Sequence, residues 1–128
     1  MKLNKIHHVA IICSDYKKSK HFYTKVLGLE IIEETYREKR DSYKLDLRIG
    51  ERDCIELFSF PNAPKRLSSP EACGLRHLAF EVDNVNAYKK YLESVGVAVE
   101  DVRVDAITNK KFAFFQDPDG LPLEIYQR

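Results

Sequence analysis

Apolar and polar positions along the chain alternate in a way that predicts short strands and two helices. Tyr43, Leu45, Leu47 and Ile49 alternate with Lys44, Asp46 and Arg48, the period of two expected of a strand with one covered and one wet face. Three further segments, Asp53–Phe60, Lys111–Phe115 and Leu121–Tyr126, are rich in β-branched and aromatic residues and predict strands. The turn sequence Asp117-Pro118-Asp119-Gly120 separates the last two. Helices are predicted over Tyr16–Val26 and Asn84–Val95, with Asp15 and Asn84 placed to cap exposed N–H groups. Both run into a glycine, Gly28 or Gly96, suited to the left-handed residue that ends a helix.

These elements recur in order. HHVAIICSDY near the start matches RHLAFEVDNV in the middle, and the helix-ending glycine follows 20 residues after His8 and 19 after His77. Such self-similarity decides the fold class before any local detail. Each half reads β-α-β-β-β, so the expectation is an α+β domain. Its modules are residues 1–60 and 74–128, joined by a Pro- and Ser-containing linker, 61–73. Each module has an uncovered sheet face, and pairing the two sheets would bury apolar area.

The repeat also singles out four side chains. Glu56 interrupts the apolar run CIELFSF, and Glu124 is the only acid in LPLEIY; they follow His8 and His77 by 48 and 47 residues. A two-fold relation between the modules would converge all four. Alternate strand residues share a face, which puts Ala10 and Ile12 with His8, and Ala79 with His77. By the same parity Phe58 and Phe60 lie with Glu56, and Tyr126 with Glu124. A buried unpaired carboxylate needs a cation or a proton. Two imidazoles and two carboxylates form a ligand set for one divalent metal per site, with zinc, nickel or cobalt expected ahead of manganese or iron(II).

Composition narrows the classes. The 128 residues fit one domain, and 44% hydrophobic content is enough for a core. With 21 basic and 20 acidic residues the net charge is +1, unlike the basic excess of a nucleic-acid binder. No apolar run approaches the roughly 20 residues that span a bilayer, and the start does not read as a signal peptide. Three cysteines without a CxxC pair suit reduced thiols in the cytoplasm.

The HHVAI opening, the FYTKVLGL helix end, the RHLAFEVDN restart and the DPDG ending followed by Glu124 together resemble the vicinal oxygen chelate superfamily. Within it the chain is most similar to the short bacterial glyoxalase I-like group. The resemblance spans nearly the whole chain. It implies paired modules forming a U-shaped sheet around a metal held by His8, Glu56, His77 and Glu124. It also implies a homodimer that combines modules from two chains, and a small substrate such as a hemithioacetal. Glu124 is then the expected catalytic base, with Glu56 facing it across the metal. Glutathione-using relatives tend to carry Arg and Asn where this chain has Ile12 and Phe60, so a different thiol adduct or a non-thiol substrate stays open. Ile12, Phe58, Phe60 and Tyr126 are the expected substrate contacts.

Two other readings stand beside a lyase or isomerase working through an enediolate. One is a dioxygenase or thiol transferase on the same scaffold, and the other a small-molecule binding or resistance protein without catalysis. The remaining conspicuous residues have plainer roles. His7 and His21 read as ordinary structural or surface histidines, and the cysteines as small core residues. Glu33–Arg48 reads as a solvated hairpin face, Lys110 and Lys111 as loop lysines, and Asp117 and Asp119 as turn formers.

Overall fold

The computed structural model describes residues 1–128 as two compact units, Met1–Lys65 and Arg66–Arg128, the division falling inside the 61–73 segment. The first unit runs β1 (Val9–Cys13), α1 (Tyr16–His21), β2 (Glu30–Arg37), β3 (Ser42–Ile49) and β4 (Asp53–Ser59). The second runs β5 (Leu78–Val82), α2 (Val85–Ser94), β6 (Arg103–Val104), β7 (Lys111–Gln116) and β8 (Pro122–Gln127). Strand order is β1-β4-β3-β2 in one sheet and β5-β8-β7-β6 in the other. In both, the first strand pairs parallel with the last and every other pairing is antiparallel. The expected β-α-β-β-β order is therefore present twice, in an α+β fold.

Each helix begins on its expected cap. The Asp15 carboxylate accepts from the Lys18 amide at 3.0 Å, and the Asn84 side chain accepts from the Ala87 amide at 2.9 Å. The first helix departs from a uniform Tyr16–Val26 element. After His21 it widens through Phe22–Val26, and the Leu27 amide reaches back five residues to the Phe22 carbonyl. That wider turn carries Phe22 and Tyr23 into the core together, Tyr23 with no exposure at all. Gly28 and Gly96 then take positive φ values of 74° and 86°, which a residue with a Cβ adopts only under strain.

One face of each sheet packs against its helix. In the first unit Ile11, Cys13, Leu45, Leu47, Ile55 and Leu57 are buried there; in the second, Ala113, Phe115, Leu123 and Ile125 lie with Val85 and Leu92. Because strand side chains alternate, burying these residues turns their neighbours to the opposite face. The helix-covered face thus decides which residues can form a site. Leu47 has no exposed area, and Leu47→Ala is expected to cost about 2–5 kcal/mol through lost burial and the cavity left behind. Urea unfolding checks this as a lower midpoint at unchanged slope.

The Glu33–Arg48 hairpin is solvated along β2 and its tip, where Glu33–Tyr36 and Glu38–Asp41 are exposed, and departs from that reading only along β3. Leu45 and Leu47 are core residues, and the polar side chains alternating with them are only part-exposed, 29% for Lys44 and 18% for Asp46. The cause is the register: Asp46 stands opposite Glu56 on β4, so the polar face of β3 is also the face of the predicted ligand. No helix is long and apolar enough to cross a membrane.

Candidate metal centre

In both units the histidine stands one residue before the first strand, and the same pairing brings it to its glutamate. Ala10 on β1 is opposite Glu56 on β4, and Ala79 on β5 is opposite Glu124 on β8. Each alanine lies two positions after its histidine, hence on the same face. Its small side chain leaves the space between imidazole and carboxylate open. His8 Nε2 is 3.4 Å from Glu56 Oε2, and His77 Nε2 is 3.0 Å from Glu124 Oε2. In each ring the other nitrogen meets the preceding residue: His8 Nδ1 lies 2.9 Å from His7 Nδ1, and His77 Nδ1 lies 3.2 Å from Arg76 Nη1. The preceding side chain thereby turns each ring with Nε2 toward the acid; at His77 the guanidinium donates and Nδ1 accepts. His7 therefore has a role that strand parity missed, because neither histidine is yet inside the strand.

The donor set fits a divalent cation. With metal–ligand bonds of about 2.0–2.2 Å, two ligands on one ion lie roughly 3.0–3.4 Å apart at octahedral or tetrahedral angles. The two observed N···O edges, 3.0 and 3.4 Å, fall at the ends of that range. Each unit brings its own His and Glu together; no group of three or more His, Cys, Asp or Glu side chains able to hold a metal is present.

The two pairs differ in surroundings. Glu56 is 17% exposed, and its second oxygen lies 3.4 Å from Lys44 Nζ, which also contacts Asp46 at 2.7 Å. Asp46 chiefly, with Glu56 adding, holds the Lys44 ammonium above its ordinary pKa. Glu124 is 11% exposed and has no Lys or Arg partner; its side-chain polar contact is with the His77 ring. The register puts Phe114 where the first unit has Asp46, opposite the glutamate. Phe114 meets the His77 ring edge-on, centroids 5.0 Å apart. Glu56 is thus set beside Lys44 and Asp46, and Glu124 opposite a phenyl ring.

Residues 5–125 match the Glyoxalase/Bleomycin resistance protein/Dioxygenase superfamily. The chain belongs to this superfamily. Its members include lyases, epimerases and dioxygenases, typically use a divalent metal, and often act as dimers on small-molecule substrates. The chain is 55% identical to the uncharacterized protein YwkD of Bacillus subtilis over the full length of both, and 56% identical to the uncharacterized protein YaeR of Escherichia coli over 98% of each. A glyoxalase family protein from Enterococcus faecalis has a solved structure that superimposes with a TM-score of 0.91 at 45% identity, covering 98% of this chain and 99% of that one. More distant similarity reaches a 2-epi-5-epi-valiolone epimerase from Actinomyces at 28% identity, over 94% of this chain and 77% of the epimerase. A Schizosaccharomyces pombe lactoylglutathione lyase is 26% identical, over 98% of this chain and 48% of the lyase.

Against this superfamily background the other expected contacts fall on the same sheet faces. Ile12 is 56% exposed and pairs with Phe58 across the β1–β4 ladder. Phe58 and Phe60 stack with centroids 6.1 Å apart. Tyr126 stacks on Phe112, but its hydroxyl is committed, donating to Asp105 at 3.0 Å and bonding Thr108; it serves as an apolar wall more than a polar contact. Cys54 is no ligand candidate: burial, with the Asp46 and Glu56 charges adding, raises its thiol above the ordinary value, away from the thiolate a metal takes.

Four residues on these faces were missed by sequence reasoning: Lys44, Asp46, Phe114 and Arg37. A signal for the first three was available. Once Glu56 and Glu124 are assigned to the site face, hairpin pairing points to Asp46 and Phe114 opposite them, and strand parity adds Lys44, two residues before Asp46 and opposite Phe58. Arg37 follows from no pattern in the chain.

Proposed function

We propose that the chain is a divalent-metal-dependent lyase or isomerase of the glyoxalase I type, acting on a small substrate with vicinal oxygens, such as a hemithioacetal. In this reading the two His–Glu pairs are halves of one four-ligand centre, completed within a homodimer in the cytoplasm. The observation that carries it is the repeated geometry: the same His-to-Ala-to-Glu register twice, with N···O edges of 3.4 and 3.0 Å. The distant epimerase and lactoylglutathione lyase also fit a reaction that moves a proton at carbon.

His8, Glu56, His77 and Glu124 would hold the cation, which when bound supplies Lewis-acid polarisation of the substrate oxygens and stabilises the enediolate's charge. Glu124 is the base that removes the carbon-bound proton and returns it to the neighbouring carbon. Its surroundings favour that role over Glu56, because Lys44 already occupies one Glu56 oxygen, whereas the side-chain polar contact of Glu124 is with His77. Phe112 and Phe114 on the face beside Glu124 exclude water from the developing charge. Arg76 and His7 keep each imidazole turned to its carboxylate.

The test is elemental analysis of the purified homo-oligomer, followed by assay of the metal-reloaded protein with methylglyoxal and a series of thiols. One cation per pair of His–Glu half-sites and isomerase turnover are expected. Oxygen uptake with catechols after anaerobic iron loading would move the assignment to a dioxygenase. Tight ligand binding without metal affinity or turnover would move it to a binding protein.

A further inference from the structure

The end of β2 and the tip of the β2–β3 hairpin place two arginines over Phe58 of β4 and Phe60 just after it. The Arg37 guanidinium carbon sits 4.8 Å from the Phe58 ring centroid and 5.6 Å from that of Phe60; Arg40 stands 4.9 Å from Phe60. Two cations therefore converge on one ring. Neither is in an ion pair, although Glu38 and Asp41 flank them, and Asp41 instead accepts from Tyr36. Arg37 donates from Nη2 to Ser42 at 2.9 Å, while its Nε is closed off from solvent without a hydrogen-bond partner. Two cations on one ring, one of them with a buried donor left unmet, are costly unless an anion joins them. Guanidinium forks match the geometry of carboxylate and phosphate oxygens.

Position gives this cluster a meaning. Phe58 is two residues after Glu56 on the same strand face, so about 7 Å separates them along β4. Ile12, opposite Phe58, supplies apolar surface at the same level. From this arrangement we infer that Arg37 and Arg40, stacked on Phe58 and Phe60, form an oxyanion subsite, and that the substrate is an anionic small molecule. Its carboxylate or phosphate docks at the arginines while its vicinal oxygens reach the His8–Glu56 end. The second half of that statement rests on the function proposed above; the anion site itself does not.

The test has two arms. In the first, arginine Nε–H resonances of the metal-free protein are followed while inorganic phosphate, phenyl phosphate and benzoate are titrated at constant ionic strength. Saturable shifts at Arg37 and Arg40 are expected, strongest for a ring-bearing anion. The apparent Kd is expected to rise about tenfold or more in Arg37→Gln and again in Arg40→Gln, each guanidinium contributing a charge-assisted bond. Preference for benzoate or for phenyl phosphate decides between carboxylate and phosphate. No saturable shift, or equal binding to the double variant, overturns the subsite. Arg40→Gln alters an exposed side chain, so it reads out even where Arg37→Gln fails to fold.

In the second arm, methylglyoxal adducts of 3-mercaptopropionate and 2-mercaptoethanol are compared. The wild type is expected to favour the carboxylate-bearing adduct through KM, and the arginine variants to lose that preference with kcat unchanged. Intact anion titration without turnover of either adduct sinks the lyase reading alone; turnover without anion titration sinks the subsite alone.

Discussion

Glu124→Gln is expected to reduce turnover by about 10²–10⁴-fold, the usual contribution of a positioned general base. The substitution keeps the volume and planarity of the side chain, so β8 and its ladder to β5 and β7 should survive. What changes is the acceptor: an amide cannot take the carbon-bound proton, and it is a weaker ligand for a divalent ion. The two losses are separable. With metal saturating, a kcat that stays down identifies the base, whereas recovery of kcat with added metal identifies a ligand only. Glu56→Gln is the control, since Lys44 already occupies one of the Glu56 oxygens, and its effect should fall mainly on metal affinity. Unchanged metal content together with unchanged turnover in Glu124→Gln would remove the assignment.

The second large effect concerns the histidines. If one cation takes ligands from both pairs, His8→Ala and His77→Ala should each release nearly all the metal. The expected loss of affinity exceeds the roughly 10–100-fold typical of an outer-shell partner. The double variant should be no worse than either single one, because residues acting on one ion are not additive. Two independent sites would instead show half the metal remaining in each single variant, and elemental analysis distinguishes the outcomes directly. Stability should separate the pair as well. His77→Ala strands Glu124, which is buried and loses its side-chain hydrogen-bond partner, at a cost of about 1–3 kcal/mol. His8→Ala leaves Glu56 beside Lys44 and should unfold at nearly the wild-type urea concentration.

Much of this was legible in the chain because a duplicated pattern carries more information than either copy. The caps at Asp15 and Asn84 and the positive-φ glycines Gly28 and Gly96 act within a few residues of themselves. Their chemistry is local, and a linear reading finds it. The pairings Ala10 with Glu56 and Ala79 with Glu124 were foreshadowed by nearly equal spacings, since equal chain lengths threaded through the same topology reach the same place. The widening of the first helix after His21 had no such local sign. It follows from the requirement to bury Phe22 and Tyr23 against the sheet.

From sequence alone came the fold class, the twofold β-α-β-β-β order and the four candidate ligands. Periodicity, capping and spacing act along the chain, where short-range sterics and burial on one face are enough to set them. The tertiary structure alone decided what surrounds each glutamate. Lys44 and Asp46 beside Glu56, Phe114 beside His77 and Glu124, and Arg37 over Phe58 all depend on the register between strands. A slip of one residue would send each of those side chains to the other face, and that register is held by the burial of Leu45, Leu47, Ala113 and Phe115 in the cores of their units.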